Sequence, residues 1–367
     1  MLIRFWMKSL YKPFIYIFLL LLISLSLLLL QERKVFDIRT LTQTDPLPHT
    51  KALIQEKKYA QAEEYLSYFI YYPYVNENPE SHQILKDIQI KRNSYAYKKE
   101  KFIEGIVRGK SDEDIGKASA IASDFLVIGD IRDLSIEGSN YYHDKKVDSV
   151  VVALSSLGLI ATLSTIYTLG ATTPIKTSIS VLKYAKRANK LPLWLSNRLV
   201  KEAKLAKKSY SVKHIEKLLS PINRLYQRVG LNQTLALLKN TKNFTELKSL
   251  TKITAKFGSK SPVLLQVTKG EINYLTKNLS KASSKNILYA STYGEKGLKA
   301  ISKMGEAKFI SRMGKSSNLL KTGYKGNLDS LFNYLLKHVP TWLLLTTAFG
   351  GLFYFLKEFY SAIRGFL

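Results

Sequence analysis

Ser149-Val-Val-Val-Ala-Leu-Ser-Ser-Leu-Gly158-Leu-Ile-Ala-Thr-Leu-Ser-Thr-Ile-Tyr-Thr-Leu-Gly170-Ala-Thr-Thr-Pro174-Ile175 is the stretch on which the architecture turns. It carries no charge and is long enough to cross a bilayer, which takes about 20 apolar residues. Its nine Ser or Thr, two Gly and one Pro make it far less lipophilic than a typical span. Read as a span, it separates the basic half of the chain from residues 32–148 by a membrane. Read as protein core, it becomes a buried helix pair broken near Gly170–Pro174, and everything around it stays on one side. The Ser/Thr content favours the buried pair, with a marginal transmembrane segment as the alternative.

Working outward, two more stretches lack charge entirely, 13–31 and 338–356. Between these gaps the charge is distributed very unevenly. Residues 31–148 hold 18 Lys or Arg against 20 Asp or Glu, whereas 176–338 hold 33 against 7, almost the whole of the net +28. A near-neutral segment and a polyanion-seeking segment are thus hung between hydrophobic runs. The sequence divides accordingly into a basic N-terminus (1–12), a transmembrane signal anchor (13–31), a near-neutral helical domain (32–148), the middle run (149–175), a basic short-helix domain (176–337), a C-terminal transmembrane helix (338–356) and a tail (357–367).

The first run is preceded by Arg4, Lys8 and Lys12 and extends from Phe14 to Leu30. At 1.5 Å per residue it makes about 26 Å of helix, close to a bilayer core. It ends Leu28-Leu29-Leu30-Gln31-Glu32-Arg33, with bulky residues where a signal peptidase needs small ones, so it reads as a retained anchor. The last run, Val339–Leu356, has Trp342 and Tyr354 where interfacial aromatics belong and Lys337, His338, Lys357 and Glu358 as flanks.

The rest reads as helix. Tyr59, Ala62, Leu66, Phe69 and Ile70 advance by helical steps along one face. In the basic half, Ser220-Pro221 to Gly230, Thr245-Glu246 to Gly258 and Ser261-Pro262 to Gly270 follow helix punctuation: a capping hydroxyl, a Pro that has no N–H to lose, and a Gly that accepts positive φ. Gly294, Gly305, Gly314 and Gly323 continue the rhythm. The expected fold is all-α and membrane-anchored, a helical hairpin region followed by a bundle or solenoid-like stack of short helices.

Chemistry-bearing motifs are scarce. The absence of Cys removes disulfides, thiolate metal sites and a Cys nucleophile. The five His stand apart from one another, and no HExxH or GxSxG occurs. Gly109-Lys110-Ser111 and Gly314-Lys315-Ser316 look like the end of a phosphate loop, but Glu104 and Phe309 stand where its first Gly is required. No cofactor is implied. One polar cluster stands out: Asp124, Asp130, Asp133 and Glu137. On a helix the last three fall on one side. Such carboxylates can do general acid–base work or hold a divalent cation, as in a glycan hydrolase; the favoured reading is a solvated face or pairing with the protein's own Lys.

Two local resemblances attach to quoted residues. Tyr59 and Ala62 match the Tyr-x-x-Ala spacing of a tetratricopeptide unit, with Phe69 departing from the small residue that family uses. Asp124-Phe-Leu-Val-Ile-Gly-Asp130-Ile-Arg-Asp133, Glu137-Gly138 and the apolar run to about 160 resemble the helical region preceding the toxin domain of bacterial polymorphic toxins, with Val127 where those carry Pro. That resemblance implies a membrane-proximal helical module handling a buried apolar segment, and it transfers no catalytic residue.

Partner choice rests on the basic half, whose cations are 28 Lys and only 5 Arg. Forked recognition of bases or phosphates favours Arg, whereas Lys suits diffuse attraction to an anionic sheet. Lys183, Lys186, Arg187, Lys190, Lys201, Lys204, Lys207 and Lys208 are the candidate contacts to anionic lipid or glycan. Nucleic acid would need this half in the cytoplasm and is disfavoured. The resulting expectation is a non-enzymatic, membrane-anchored helical scaffold of a bacterial cell envelope. It sits in the inner membrane with its main body periplasmic, meets another envelope protein through 32–148, and contacts membrane lipids and an anionic surface through 176–337. The alternatives are a membrane-active effector that inserts 149–175, and a cytoplasm-facing basic domain that binds nucleic acid.

Overall fold

The computed structural model describes residues 2–108, 113, 127–167, 173–209, 211, 213–278, 280–313 and 328–364. Among them the chain is helical, with no strand. Asp124, both Gly-Lys-Ser triplets, Gly170 and Gly323 lie outside the described residues.

Two compact units form, Thr44–Ser280 and a second that joins Met1–Gln43 to Lys281–Leu367. These units cut across the charge blocks. The near-neutral segment and two-thirds of the basic one fold together, while the last third of the basic segment folds with the two ends of the sequence.

In the larger unit, α2 (Leu47–Gln55), α3 (Tyr59–Phe69), α4 (Pro73–Asn76), α5 (Pro79–Asn93) and α6 (Tyr95–Arg108) lead into α7 (Val127–Tyr142), α8 (Ser149–Tyr167), α9 (Thr173–Arg187), α10 (Leu193–Ser209), α11 (Lys213–Lys239), α12 (Phe244–Phe257), α13 (Ser261–Val267) and α14 (Ile272–Asn278). The stripe of α3 faces inward: Ala62, Leu66 and Phe69 are fully buried against α2 and α5. The centre is α8, packed on α7, α9 and α10. Val150, Ala153, Leu154, Leu157 and Ala161 are buried and no described side chain from 150 to 162 is exposed. A helix apolar on every side belongs in a core when other helices surround it, and here three do.

Helix punctuation in the basic half follows the sequence at its glycines and at Ser261-Pro262, where α13 begins, and departs from it elsewhere. Gly230, Gly258, Gly270 and Gly305 do take positive φ, at 73°, 56°, 73° and 83°. Ser220-Pro221, however, lies inside α11, which already begins at Lys213 and breaks only at Gly230. Ile215, Leu218, Leu219 and Ile222 form one buried face, and that packing outweighs the hydrogen bond lost at Pro221. The cap of α12 is Asn243, whose side chain accepts from the Glu246 N–H at 2.9 Å, while Glu246 accepts from the Lys242 N–H at 2.8 Å. Ser261 donates back to the Gly258 carbonyl at 2.7 Å and caps nothing.

The smaller unit contains α1 (Leu2–Val35), α15 (Ser284–Ser291), α16 (Gly294–Met304), α17 (Glu306–Met313), α18 (Leu328–His338), α19 (Thr341–Leu345), a π-helical turn (Thr346–Gly350) and α20 (Gly351–Arg364). α1 and the α19–α20 rod run antiparallel in one register. The Tyr16 ring meets Phe355 edge-on at 6.2 Å, and its hydroxyl donates to Glu358. A Cβ on Gly351 would stand 2.9 Å from Ile23. Arg33 donates to the Thr341 hydroxyl at 3.2 Å. Glycine at 351 is therefore what lets the two backbones approach. The C-terminal run is not straight: α18 and the rod beyond it meet at 112°. Pro340 cannot continue α18, and the carbonyls it leaves open are capped by Arg33, which donates to Leu336 at 2.8 Å and Val339 at 2.6 Å.

Candidate functional site

Beneath α8 lies a closed charge cluster built from three helices. Lys183 of α9 reaches Asp130 at 2.7 Å and Asp133 at 2.9 Å, both on α7, and the Lys183 and Asp130 side chains are each 3% exposed. Asp133 also accepts from Arg132 at 2.9 Å and Arg187 at 3.3 Å. The third wall is Gly158 of α8, where an added Cβ would stand 2.5 Å from both Asp130 carboxylate oxygens. Glycine there makes room for a charge inside an otherwise apolar helix contact. At the edge, Asp148 caps the start of α8 by accepting from the Val150 N–H at 3.0 Å, and it pairs with Lys186 at 2.7 Å. Glu137 accepts from the Asp148 N–H at 2.9 Å, closing the corner.

The two carboxylates of α7 feel opposite pulls. Burial raises Asp130 above the ordinary carboxylate range, more than Lys183 lowers it. Burial also works on Asp133, but Lys183, Arg132 and Arg187 together hold it below that range. Asp148 is likewise held low against its burial, by Lys186 and the backbone N–H groups at the start of α8. Chemically this arrangement neutralises carboxylates rather than presenting them. A cavity of about 180 Å³ adjoins it, and no group of three or more His, Asp or Glu able to hold a metal ion occurs among the described residues.

The structure thus joins two sets of residues that the sequence kept apart. Asp130 and Asp133 do not form a solvated stripe; they pair with the protein's own Lys183, one of the two readings the sequence favours for them, and Asp133 also meets Arg187, cations that the charge pattern had placed on an outer anionic surface. Lys183 is 4% exposed and cannot touch such a surface. Lys186 is half-buried against Asp148, and Lys190 is half-buried. Lys201, Lys204, Lys207 and Lys208 are exposed on α10, whose opposite face buries Leu195, Leu199, Ala203 and Ala206.

Two further clusters have little or no signature in the sequence. Arg33, the cap of α18, is signalled only as a lone Arg close behind an apolar run. Arg92 forks onto Glu113 at 2.8 and 2.5 Å and reaches Glu63 at 2.5 Å, with the Tyr97 hydroxyl on Glu113 at 3.2 Å. Nothing in the spacing of those residues announces the contact.

The chain matches no known protein family, no curated protein and no solved structure at a significant level. The functional reading therefore stands on geometry.

Proposed function

We propose that this protein is a non-enzymatic, membrane-anchored helical scaffold of a bacterial cell envelope, held by α1 and the α19–α20 rod, with its helical body outside the cytoplasm and its lysine-bearing faces turned to an anionic lipid or glycan surface. The observation that carries the reading is the antiparallel pairing of two apolar helices from opposite ends of the sequence. The stretch Phe14–Val35 is long and apolar enough to cross a membrane, and Leu331–His338 with Thr341–Ser361 passes the same test as a bent pair. Their outward faces stay apolar: Phe14, Phe18 and Leu21 on one, Phe349, Phe353 and Tyr360 on the other, each more than 60% exposed. In water such a surface is a liability; in lipid it costs nothing.

The pairing also bears on whether α1 is kept. Leu29 is 1% exposed in a core with Ile38, Leu336 and Leu344, and Arg33 caps α18. A segment discarded after export has no reason to be built into the fold of what remains.

A phosphatase fused after Lys260 is expected to be active and a cytoplasm-dependent fluorescent reporter at the same point dark. Since the chain has no Cys, Tyr16→Cys with Phe355→Cys, at positions whose rings meet at 6.2 Å, is a clean second probe: a short bifunctional thiol reagent is expected to link the pair in membranes. A dark phosphatase with a bright fluorescent reporter would overturn the topology, and an absent cross-link the paired anchor.

A second reading is favoured by α8, which is apolar on all sides yet clamped by buried charge. In it the protein is an effector that releases this helix into a target bilayer. Dye leakage from anionic vesicles on acidification would support it; intact vesicles across pH and lipid composition would remove it.

A further inference from the structure

Within the larger unit, a cleft of about 930 Å³ opens between the α2–α3 hairpin and the helices α11 and α13. Five lysines line it: Lys58, which pairs with Glu56, and Lys190, Lys239, Lys260 and Lys269. Glu63 and Glu64 are the acids that line it, and Glu63 is already engaged by Arg92. Lys239, Lys260 and Lys269 have no acidic partner among the described residues, and Lys260 rests over the Tyr71 ring at 5.5 Å. The second feature is amide chemistry. Gln61, Asn232, Gln233, Asn240 and Gln266 line the same walls; the Gln266 amide already meets the His49 ring at 2.8 Å and the Asn240 amide donates to the Ala236 carbonyl at 3.2 Å, while Gln61 and Gln233 form no hydrogen bond among the described residues and offer both donors and an acceptor. Beneath them Leu53, Val263 and Leu265 form a buried apolar floor.

We propose that this cleft binds a strongly anionic glycan chain, its carboxylates or phosphates on the lysines and its hydroxyls on the amides.

The chemistry selects this class over its rivals. A membrane sheet cannot enter a concave slot. Single-stranded nucleic acid needs open rings for base stacking; Tyr68, which lines the cleft, is 5% exposed, and the exposed Tyr71 ring carries Lys260 over it at 5.5 Å. Phosphate forks favour Arg, and Arg92, the arginine present, is occupied by Glu63 and Glu113. Separated ammonium groups between paired donor–acceptor amides suit a polyhydroxyl polymer whose charge recurs along its length. The inference shares with the proposed function only its anionic partner; it does not need the anchor, so the two fail separately.

The test uses the full chain in detergent with a polyuronate oligosaccharide of about a dozen sugars. Controls are a neutral oligosaccharide of the same length, a polyglutamate peptide and a single-stranded oligonucleotide of the same charge. Polyuronate is expected to bind at least tenfold more tightly than each. Lys239→Ala with Lys269→Ala is expected to weaken polyuronate binding at least tenfold, while Lys204→Ala with Lys208→Ala on α10, an equal loss of charge, changes it less than twofold. Gln61→Ala with Gln233→Ala is expected to weaken polyuronate binding and leave polyglutamate unchanged. Helical spectra check that each variant remains folded. Equal effects of the two lysine pairs would reduce the binding to diffuse attraction and overturn the site. Equal or tighter binding of polyglutamate or the oligonucleotide, or no polyuronate binding, would overturn the ligand class.

Discussion

α1 and α8 are both uncharged over long stretches, yet they end in opposite environments. In the apolar part of α1, most side chains point outward uncovered, and only 17% of its most apolar window is buried. In α8, no described residue from 150 to 162 is exposed. The absence of charge does not separate the two. Small and hydroxyl side chains do: Gly158 lets a carboxylate press against the helix, and the Thr162 hydroxyl bonds back to the Gly158 carbonyl at 2.9 Å. A lipid-facing helix has no use for a glycine shaped around a buried aspartate.

The same contrast repeats among lysines. Lys183 is buried and doubly paired, whereas Lys201, Lys204 and Lys208 stand on the outer face of α10. Residue type and local charge density are alike; the environment sets the role.

The largest effect that would break this contrast comes from Lys183→Met. It leaves Asp130 buried without its cation, and losing one member of a buried ion pair costs about 3–5 kcal/mol. Denaturant unfolding of the variant is expected to shift by that order. Adding Asp130→Asn should recover part of the loss, because an amide can be buried without an ion. A shift under about 1 kcal/mol for Lys183→Met would mean that α8 is held by apolar packing alone.

A smaller effect is expected from Asp148→Ala, which removes the cap of α8 and the pair with Lys186. Loss of a helix cap costs about 0.5–2 kcal/mol. The pH dependence carries the sign. Asp148 and Asp133 titrate below the ordinary carboxylate range in the folded protein. Each therefore adds stability that is present above the unfolded value near 3.8 and is lost as pH falls through the lower folded one. Asp130, raised by burial, acts in reverse: its contribution favours the fold below the unfolded value and is lost as pH rises through the folded one. The acid limb of the stability curve is expected to be flatter in Asp148→Ala than in the parent. An unchanged limb would show that Asp148 and Lys186 do not interact in solution.

How much of this was legible in the sequence varies with the range of the interaction. The helical class is written in local periodicity: Tyr59, Ala62, Leu66 and Phe69 face one way because 3.6 residues make a turn. Positive-φ glycines at 230, 258, 270 and 305 were readable for the same local reason. Helix starts were readable only in part: α13 does open at Ser261-Pro262, but α11 does not open at Ser220-Pro221. The stripe through Ile215, Leu218 and Leu219 carries α11 across Ser220-Pro221, so tertiary burial overrules a local stop signal. The candidate site was half visible. Its acids and its bases both stood out, but Asp130 and Lys183 are 53 positions apart, and only the packing of α7, α8 and α9 brings them together. The Arg92 fork and the cleft between α3 and α13 likewise depend on contacts between helices that no local pattern encodes.

The smallest effect on stability, and the sharpest test of the lysine contrast, is Lys201→Ala with Lys204→Ala and Lys208→Ala. These side chains lie opposite the buried face of α10 and form no ion pair among the described residues. Surface substitutions of this kind stay within about 0.5 kcal/mol each, so the unfolding midpoint should barely move. Attraction to anionic vesicles should respond strongly, since a lysine near such a surface contributes about 1 kcal/mol. Three of them correspond to roughly a hundredfold in affinity at low salt. The difference between variant and parent should shrink as salt rises, because screening acts over about 10 Å at 0.1 M ionic strength. Unchanged vesicle binding at low salt would mean that α10 does not face the anionic surface, and the search would move to the lysines of α12, where Lys248 and Lys252 are also exposed.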